Sequence, residues 1–295
     1  MLALGAEPRW ASARCEERDT FAPDVVRVAE ALGFSLLPWQ RQVLEVALEH
    51  VEGRLVYRDV LVSVPRQSGK TTLGLALMVW RLLAAPVTCA YGAQTRLAAR
   101  QKVLDDWMPV IRRSVLSSSF TVTRATGQES LRATNQSICR VISSDETAGH
   151  GDTLSLVLLD EAWALDHAVE QATRPAMSTK SNGQLWAVST PGTSRSLWWR
   201  AKIEQGRAAV DQGLTTGTAF FEWSAPPGAD LHDPATWHAC MPALGHTVEE
   251  QTIAADIAAM KPSEARRAYL GQWLDESEDA GWATVSRDTW KATQW

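Results

Sequence analysis

Cysteine is scarce in this 295-residue sequence, and the four present, Cys15, Cys89, Cys139 and Cys240, form no CxxC pair. Neither a disulfide framework nor a zinc site is indicated, which leaves ordinary core or surface thiols. Long apolar runs are also missing. The longest, around Leu73 to Trp80, is cut by Arg81 and falls far short of the roughly 18 residues a bilayer span requires. The first residues carry Glu7, Arg9 and Arg14 among small side chains, without the apolar stretch and cleavage site of a secretory signal, so a cytosolic location and no membrane partner are expected. Neither sign of charge dominates: 29 Lys+Arg face 34 Asp+Glu for a net charge of −5. That balance argues against an all-over cationic coat for nucleic acid and leaves a local basic patch open. The 14 tryptophans, spread from Trp10 to Trp295, keep no repeat period, so a repeat array is not read.

An apolar share of 45% against 21% charged residues is that of a globular chain able to bury a core. Residues 1–33, rich in Ala, Arg and Glu, read as a loosely attached arm that passes into a helix from Asp24. Pro38 precedes WQRQVLEVALEHV, whose apolar residues Val43, Val46, Ala47 and Val51 recur at helical spacing. RDVLVSVP is a buried parallel strand, and SGKTTLGLALMVWRLLAAP a helix closed by Pro86. Further strands are expected near 87–91, 119–125, 137–143, 154–160 and 184–190, with helices near 95–113 and from Asp166 to Met177. No short hairpin signal interrupts this alternation, so the spacing predicts an α/β fold with a mainly parallel central sheet flanked by helices. A helix SLWWRAKIEQGRAA, a strand TAFFEWSA and helices near 248–260 and 263–274 follow. The expected organisation is an arm (1–33), a nucleotide-binding core (34–245), a small helical subdomain (246–280) and a linker (281–295).

VPRQSGKTT, Val64 to Thr72, lies where a buried strand meets a helix. Backbone N–H groups of such a loop and the positive end of the following helix cradle phosphates. Here Arg66, Gln67, Ser68, Gly69, Lys70, Thr71 and Thr72 would surround a triphosphate, with Lys70 reaching the β- and γ-phosphates and Thr71 offering a hydroxyl to Mg²⁺. Val64 stands where the common pattern has glycine. LVLLDEAW puts Asp160 and Glu161 at the carboxyl end of an apolar strand, where parallel sheets place ligands. Asp160 would hold Mg²⁺ and Glu161 would act as general base toward water. The simpler alternative is that the two acids cap the next helix. WAVSTPGT adds Ser189 and Thr190 at the next strand end, able to contact the γ-phosphate or the attacking water. Trp39 and Gln40 lie thirty residues before Lys70, and a glutamine amide could read adenine. Arg66 could stabilise charge at the γ-phosphoryl group. Arg96, Arg100, Lys102, Arg112 and Arg113 are a candidate basic surface for DNA or a solvated helix face.

Together PWQ, PRQSGKTT, LVLLDEAW and STPG resemble the ATPase domain of a tailed-bacteriophage terminase large subunit, the DNA-packaging motor. WHACMPALG (Trp237 to Gly245) and SEARRAYLGQWL (Ser263 to Leu274) resemble segments that follow the sheet in that family. The resemblance covers roughly residues 35–280. It implies a RecA-like P-loop fold, ATP and Mg²⁺, Arg66 as the loop arginine, Glu161 as the catalytic glutamate and Ser189-Thr190 as the coupling motif. It also implies double-stranded DNA, a portal protein and a small terminase subunit as partners, a homo-oligomeric ring on the procapsid, and the cytoplasm of an infected bacterial host. Many relatives carry an arginine before the Asp-Glu strand where this sequence reads GHGD; either His150 serves there, or Arg124, Arg132 or Arg140 does, or the arginine is supplied differently. Members also carry a C-terminal nuclease, which would begin where this sequence ends. A superfamily 2 helicase shares the DEAx box, but the 103 residues after Gly192 are too few for a second lobe. A non-hydrolysing nucleotide-binding scaffold is the third reading.

Overall fold

The structure, a computed structural model, describes residues 5–142 and 153–273; His150 and the expected linker 281–295 lie outside them. Two short strands, β1 (Trp10–Ala11) and β2 (Asp19–Thr20), precede helices α1 (Ala22–Ala31) and α2 (Pro38–Ala47). Next come β3 (Glu49–Val51), β4 (Arg54–Leu55) and β5 (Tyr57–Ser63), then α3 (Lys70–Ala84) and β6 (Thr88–Gly92). A helix follows in three parts: α4 (Arg96–Gln101), a π-helical stretch (Lys102–Trp107) and α5 (Met108–Arg112). The widened turn precedes Pro109, which has no N–H to give to the turn before it. Strands β7 (Phe120–Thr123), β8 (Ser130–Ala133), β9 (Ile138–Ile142) and β10 (Leu154–Asp160) lead to α6 (His167–Met177) and β11 (Gln184–Ser189). Helix α7 (Leu197–Asp211), β12 (Gly217–Glu222), α8 (Pro234–Cys240), α9 (Glu250–Ala259) and α10 (Pro262–Tyr269) complete the described chain.

Nine strands form one sheet in the order β1-β12-β5-β11-β10-β6-β9-β8-β7. The six from β12 to β9 are parallel, which gives the predicted α/β class with helices on the sheet's faces. Their residues explain the burial: Val60, Val62, Val157, Leu159, Leu185 and Ala187 are inaccessible or nearly so, as strands covered on both faces must be. Strands β2, β3 and β4 form a separate small antiparallel sheet.

Three departures from the sequence reading have local causes. Strand β8 is antiparallel to both of its neighbours, β7 and β9, so one edge of the sheet is a meander rather than a continuation of the parallel alternation. The β8–β9 turn contains no glycine: Gln136 takes φ +76°, while the Asn135 side chain accepts from the Ser137 N–H and donates to the Leu82 carbonyl. Residues 1–33 are not a loose arm where described. Trp10 and Ala11 add an antiparallel edge strand to β12, and Arg14 and Arg18 both pair with the buried carboxylate of Glu49. Finally, the C-terminal helical part has its own apolar cluster beginning at Ala225, with Leu231, Trp237, Ile253 and Tyr269 among its members, which puts its packing boundary about twenty residues earlier than 246.

Candidate functional site

Register brings the three sequence motifs together. Ser63, at the end of β5, lies beside Ser189 at the end of β11, and Asp160 at the end of β10 lies beside Val188 of β11. The phosphate loop, the acidic pair and the hydroxyl pair therefore emerge from three adjacent parallel strands at their carboxyl ends.

The loop's chemistry follows from its backbone. Val64 needs no glycine because its N–H still continues the sheet ladder, donating to the Ser189 carbonyl at 3.0 Å. The reversal comes later, with Gln67 at φ +59° and Gly69 at φ +86°. Gly69 is required twice over: its φ is left-handed, and a Cβ there would stand 2.9 Å from Gln40 Nε2. Ser68 Oγ donates to the Pro65 carbonyl at 2.9 Å and Lys70 Nζ to the same carbonyl at 3.3 Å. Burial lowers the Lys70 ammonium from its ordinary value, an effect opposed by Glu161 and Asp160.

Trp39 and Gln40 support this loop from behind. The Trp39 indole N–H donates to the Ser68 carbonyl at 2.9 Å. Gln40 Nε2 donates to the Gly69 carbonyl at 2.8 Å and to Thr72 Oγ1 at 3.0 Å, while its Oε1 accepts from the Leu37 N–H at 2.8 Å. With 1% exposure and both amide hydrogens committed, Gln40 is not placed to read adenine, contrary to the sequence expectation. Its role here is to fasten α2 to the loop.

Across the cleft, Asp160 accepts from the Tyr91 hydroxyl at 2.9 Å and from the Glu161 N–H at 3.0 Å. Burial and the neighbouring Glu161 raise its pKa, and Lys70 opposes the rise. Tyr91 is itself held by edge-on contact with Trp107, which the π-helical stretch carries, at 4.6 Å between centroids. Glu161 has φ +53°, a strained backbone for a glutamate. Its carboxylate accepts from the Trp163 indole N–H at 2.7 Å, and the Trp163 backbone N–H donates to Ser189 Oγ at 3.0 Å. Glu161 precedes the 3-10 turn Ala162–Ala164 but its side chain makes no capping bond there, and α6 is capped by Asp166. Ser189 and Thr190 are buried, and Thr190 Oγ1 has no hydrogen-bond partner among the described residues.

The space between these groups is a cleft of about 450 Å³ lined by Arg66, Gln67, Ser68, Gly69, Lys70, Thr71, Gln94, Glu161 and Trp163. Of the other expected site residues, Trp39, Gln40, Thr72, Asp160, Ser189 and Thr190 are not among its lining residues. Arg66, Lys70 and Arg267 act electrostatically on one another, as do Lys70 and the two acids, so three cations gather here beside Asp160, Glu161 and Glu264 in a chain of net negative charge. Gln94, Tyr91, Trp163 and Arg267 were not identified from sequence. A larger cleft of about 790 Å³, lined by Phe21, Arg27, Trp80, Arg81 and Lys180 among others, lies at the opposite end of the strands and lacks paired acids and a phosphate loop.

The candidate basic surface is largely neutralised. Arg96 pairs with Glu129 at 2.9 Å, Lys102 with Asp106 at 2.7 Å, and Arg100 lies 3.8 Å from Asp105. Arg112 and Arg113 are exposed. Arg124 pairs with Asp105, Arg132 is on β8 and Arg140 on β9, and none of the three lines the cleft. Among the described residues no helix is long and apolar enough to cross a membrane.

Residues 61–284 match the family model described as terminase large subunit, T4likevirus-type, N-terminal. The chain belongs to the terminase large-subunit family. Its fold is that of terminase ATPase domains. The HK97 bacteriophage large terminase superposes with a TM-score of 0.74 at 20% identity, over 86% of this chain and 56% of that one. The ATPase domain of the Thermus phage P74-26 large terminase gives a TM-score of 0.57 at 18% identity, over 82% and 96%. A large terminase from a thermophilic bacteriophage, in complex with ADP, gives 0.53 at 13% identity, over 74% and 48%. The chain thus spans about half the length of the HK97 terminase and of this ADP-bound one. Comparison by sequence with curated proteins gives no match.

Proposed function

We propose that this chain is the ATP-hydrolysing motor domain of a terminase large subunit, powering the packaging of double-stranded DNA into procapsids. The convergence of the phosphate loop, Asp160-Glu161 and Ser189-Thr190 on three adjacent strand ends carries the proposal. The ADP and ATP-γ-S complexes of the thermophilic-phage terminase support a nucleotide as the ligand of such a cleft.

Phosphoryl transfer asks the protein chiefly for positioning and charge stabilisation. Lys70 and Arg66 would neutralise charge on the β- and γ-phosphates, and the triphosphate's own charge would keep Lys70 protonated against its burial. The hard oxygen donors Thr71 and Asp160 suit Mg²⁺, which takes one or two carboxylates together with substrate phosphates. Among the described residues no cluster of three or more acidic, His or Cys side chains converges as a closed cage. When bound, Mg²⁺ would supply positive charge to the phosphate oxygens. Glu161 would accept a proton from the attacking water. Because the Ser189 hydroxyl holds the backbone of the Glu161–Trp163 turn, a change at the γ-phosphate would reach the chain after β11.

In this reading the domain works in a homo-oligomeric ring with the portal protein and small terminase subunit, in the cytoplasm of the infected bacterium. DNA contacts would be mainly with phosphates and thus salt-sensitive. Phosphate release with and without double-stranded DNA tests the proposal. The motor hydrolyses ATP, loses turnover in Lys70→Ala and responds to DNA; an inert scaffold releases none under any condition.

A further inference from the structure

Arg267 on α10 is 9% exposed and has no carboxylate partner within ion-pair distance among the described residues. Its Nε donates to the Pro191 carbonyl at 2.8 Å, its guanidinium lies 4.5 Å from the centroid of the Trp163 ring, and its Nη2 is buried without a partner among them. Burying a cation on such terms is costly, and a purely structural position would be filled as well by an apolar side chain. The groups it touches are those that shape the cleft. Trp163 holds the Glu161 carboxylate and, through its backbone, Ser189; Pro191 directly follows Ser189-Thr190. The neighbouring Ala268 carbonyl accepts from the Arg66 N–H at 2.8 Å, so the same helix turn also fixes the phosphate loop. The charges Arg267 feels are those of Arg66, Glu161 and Glu264.

Resting on the ATPase reading, we propose that Arg267 is a positioning residue for hydrolysis: its planar guanidinium locks the Trp163 indole, and the indole holds Glu161 toward the attacking water. The helical subdomain then takes part in the hydrolytic step without touching nucleotide. A flat cation–π stack combined with a directed N–H is a property of arginine that lysine does not reproduce.

The test is a double-mutant cycle on the chain, read as kcat, KM and ADP affinity. Arg267→Met is expected to lower kcat about 10- to 100-fold while KM and the Kd for ADP stay within about threefold. Trp163→Phe keeps a ring for stacking and removes the N–H to Glu161. If Arg267 acts through that indole, the double variant is no slower than Trp163→Phe alone. Should Arg267→Met fail to fold, Arg267→Lys retains charge and a donor to Pro191 and is expected to lose about tenfold in kcat. Unchanged kcat in either folded variant, losses that multiply in the double variant, or a matching loss of ADP affinity overturns the proposal. A wild-type chain that releases no phosphate refutes the ATPase reading itself and the proposal with it.

Discussion

Replacing Gln40 by alanine separates a structural glutamine from one that reads a base. Its amide makes three hydrogen bonds, to Leu37, Gly69 and Thr72, in a site with 1% exposure. At about 0.5–1.5 kcal/mol net for each, with more for the Leu37 N–H left without its acceptor, the loss comes to about 2–4 kcal/mol; the Gly69 carbonyl itself keeps the Thr72 hydroxyl and the Thr72 and Leu73 N–H groups as donors. Urea denaturation should show this as a lower midpoint at unchanged slope. Because the Gly69 carbonyl and Thr72 would lose their shared anchor, turnover should fall for ATP and GTP alike, with the ATP/GTP ratio of kcat/KM kept within about threefold. Gln40→Glu should be at least as damaging, since a carboxylate cannot donate to the Gly69 carbonyl. A glutamine that hydrogen-bonds adenine would behave differently: its loss would cost ATP alone about 1–3 kcal/mol, roughly tenfold or more in selectivity. A selective fall in ATP use with little change in stability refutes the reasoning.

Further expectations concern stability and the catalytic turn. Burial pushes the Glu170 carboxyl up, but hydrogen bonds from Lys202, Trp198 and Arg174 outweigh it and leave the pKa at about 2, against an ordinary 4.5. Since the folded value is depressed, the contribution is full above pH 4.5 and is lost as pH falls toward 2. Glu170→Gln should therefore cost about 2–3 kcal/mol at pH 7, after allowance for partial exposure, with the difference from wild type shrinking over that window in pH-dependent denaturation. Gly206→Ala on α7 would ordinarily favour a helix, yet a Cβ there would stand 2.3 Å from the Phe220 ring, so a net loss of about 1–3 kcal/mol is expected in thermal unfolding. Ser189→Ala leaves the Trp163 N–H without its acceptor; a stability loss of about 1–3 kcal/mol and a fall in kcat exceeding any rise in KM are expected from denaturation and steady-state kinetics.

What the sequence made legible was chemistry carried by contiguous strand-to-loop junctions. Val60 to Val62 and Val157 to Leu159 read as buried strands because both sheet faces are covered, and among the residues just beyond them Lys70 and Glu161 meet in the cleft, with Asp160 at the strand end beside them. Contacts decided by tertiary placement were not legible. Gln40 was visible as an amide, but only the fold shows its donors spent on Gly69 and Thr72. The β8–β9 hairpin escaped notice because Asn135 and Gln136 make a turn that glycine commonly marks. The two-residue strand β1 is too short to show alternation, and Trp163 and Arg267, about a hundred residues apart, meet only because α10 packs beside the phosphate loop.

Glu161→Gln tests the assignment of the site most directly, since it alters one proton acceptor and scarcely any volume. With Mg²⁺ present, calorimetry on the folded variant should find ATP bound about as tightly as by wild type, while single-turnover phosphate release falls by about 100-fold or more. Hydrolysis retained at the wild-type rate, or no ATP uptake by either folded protein, would contradict the account.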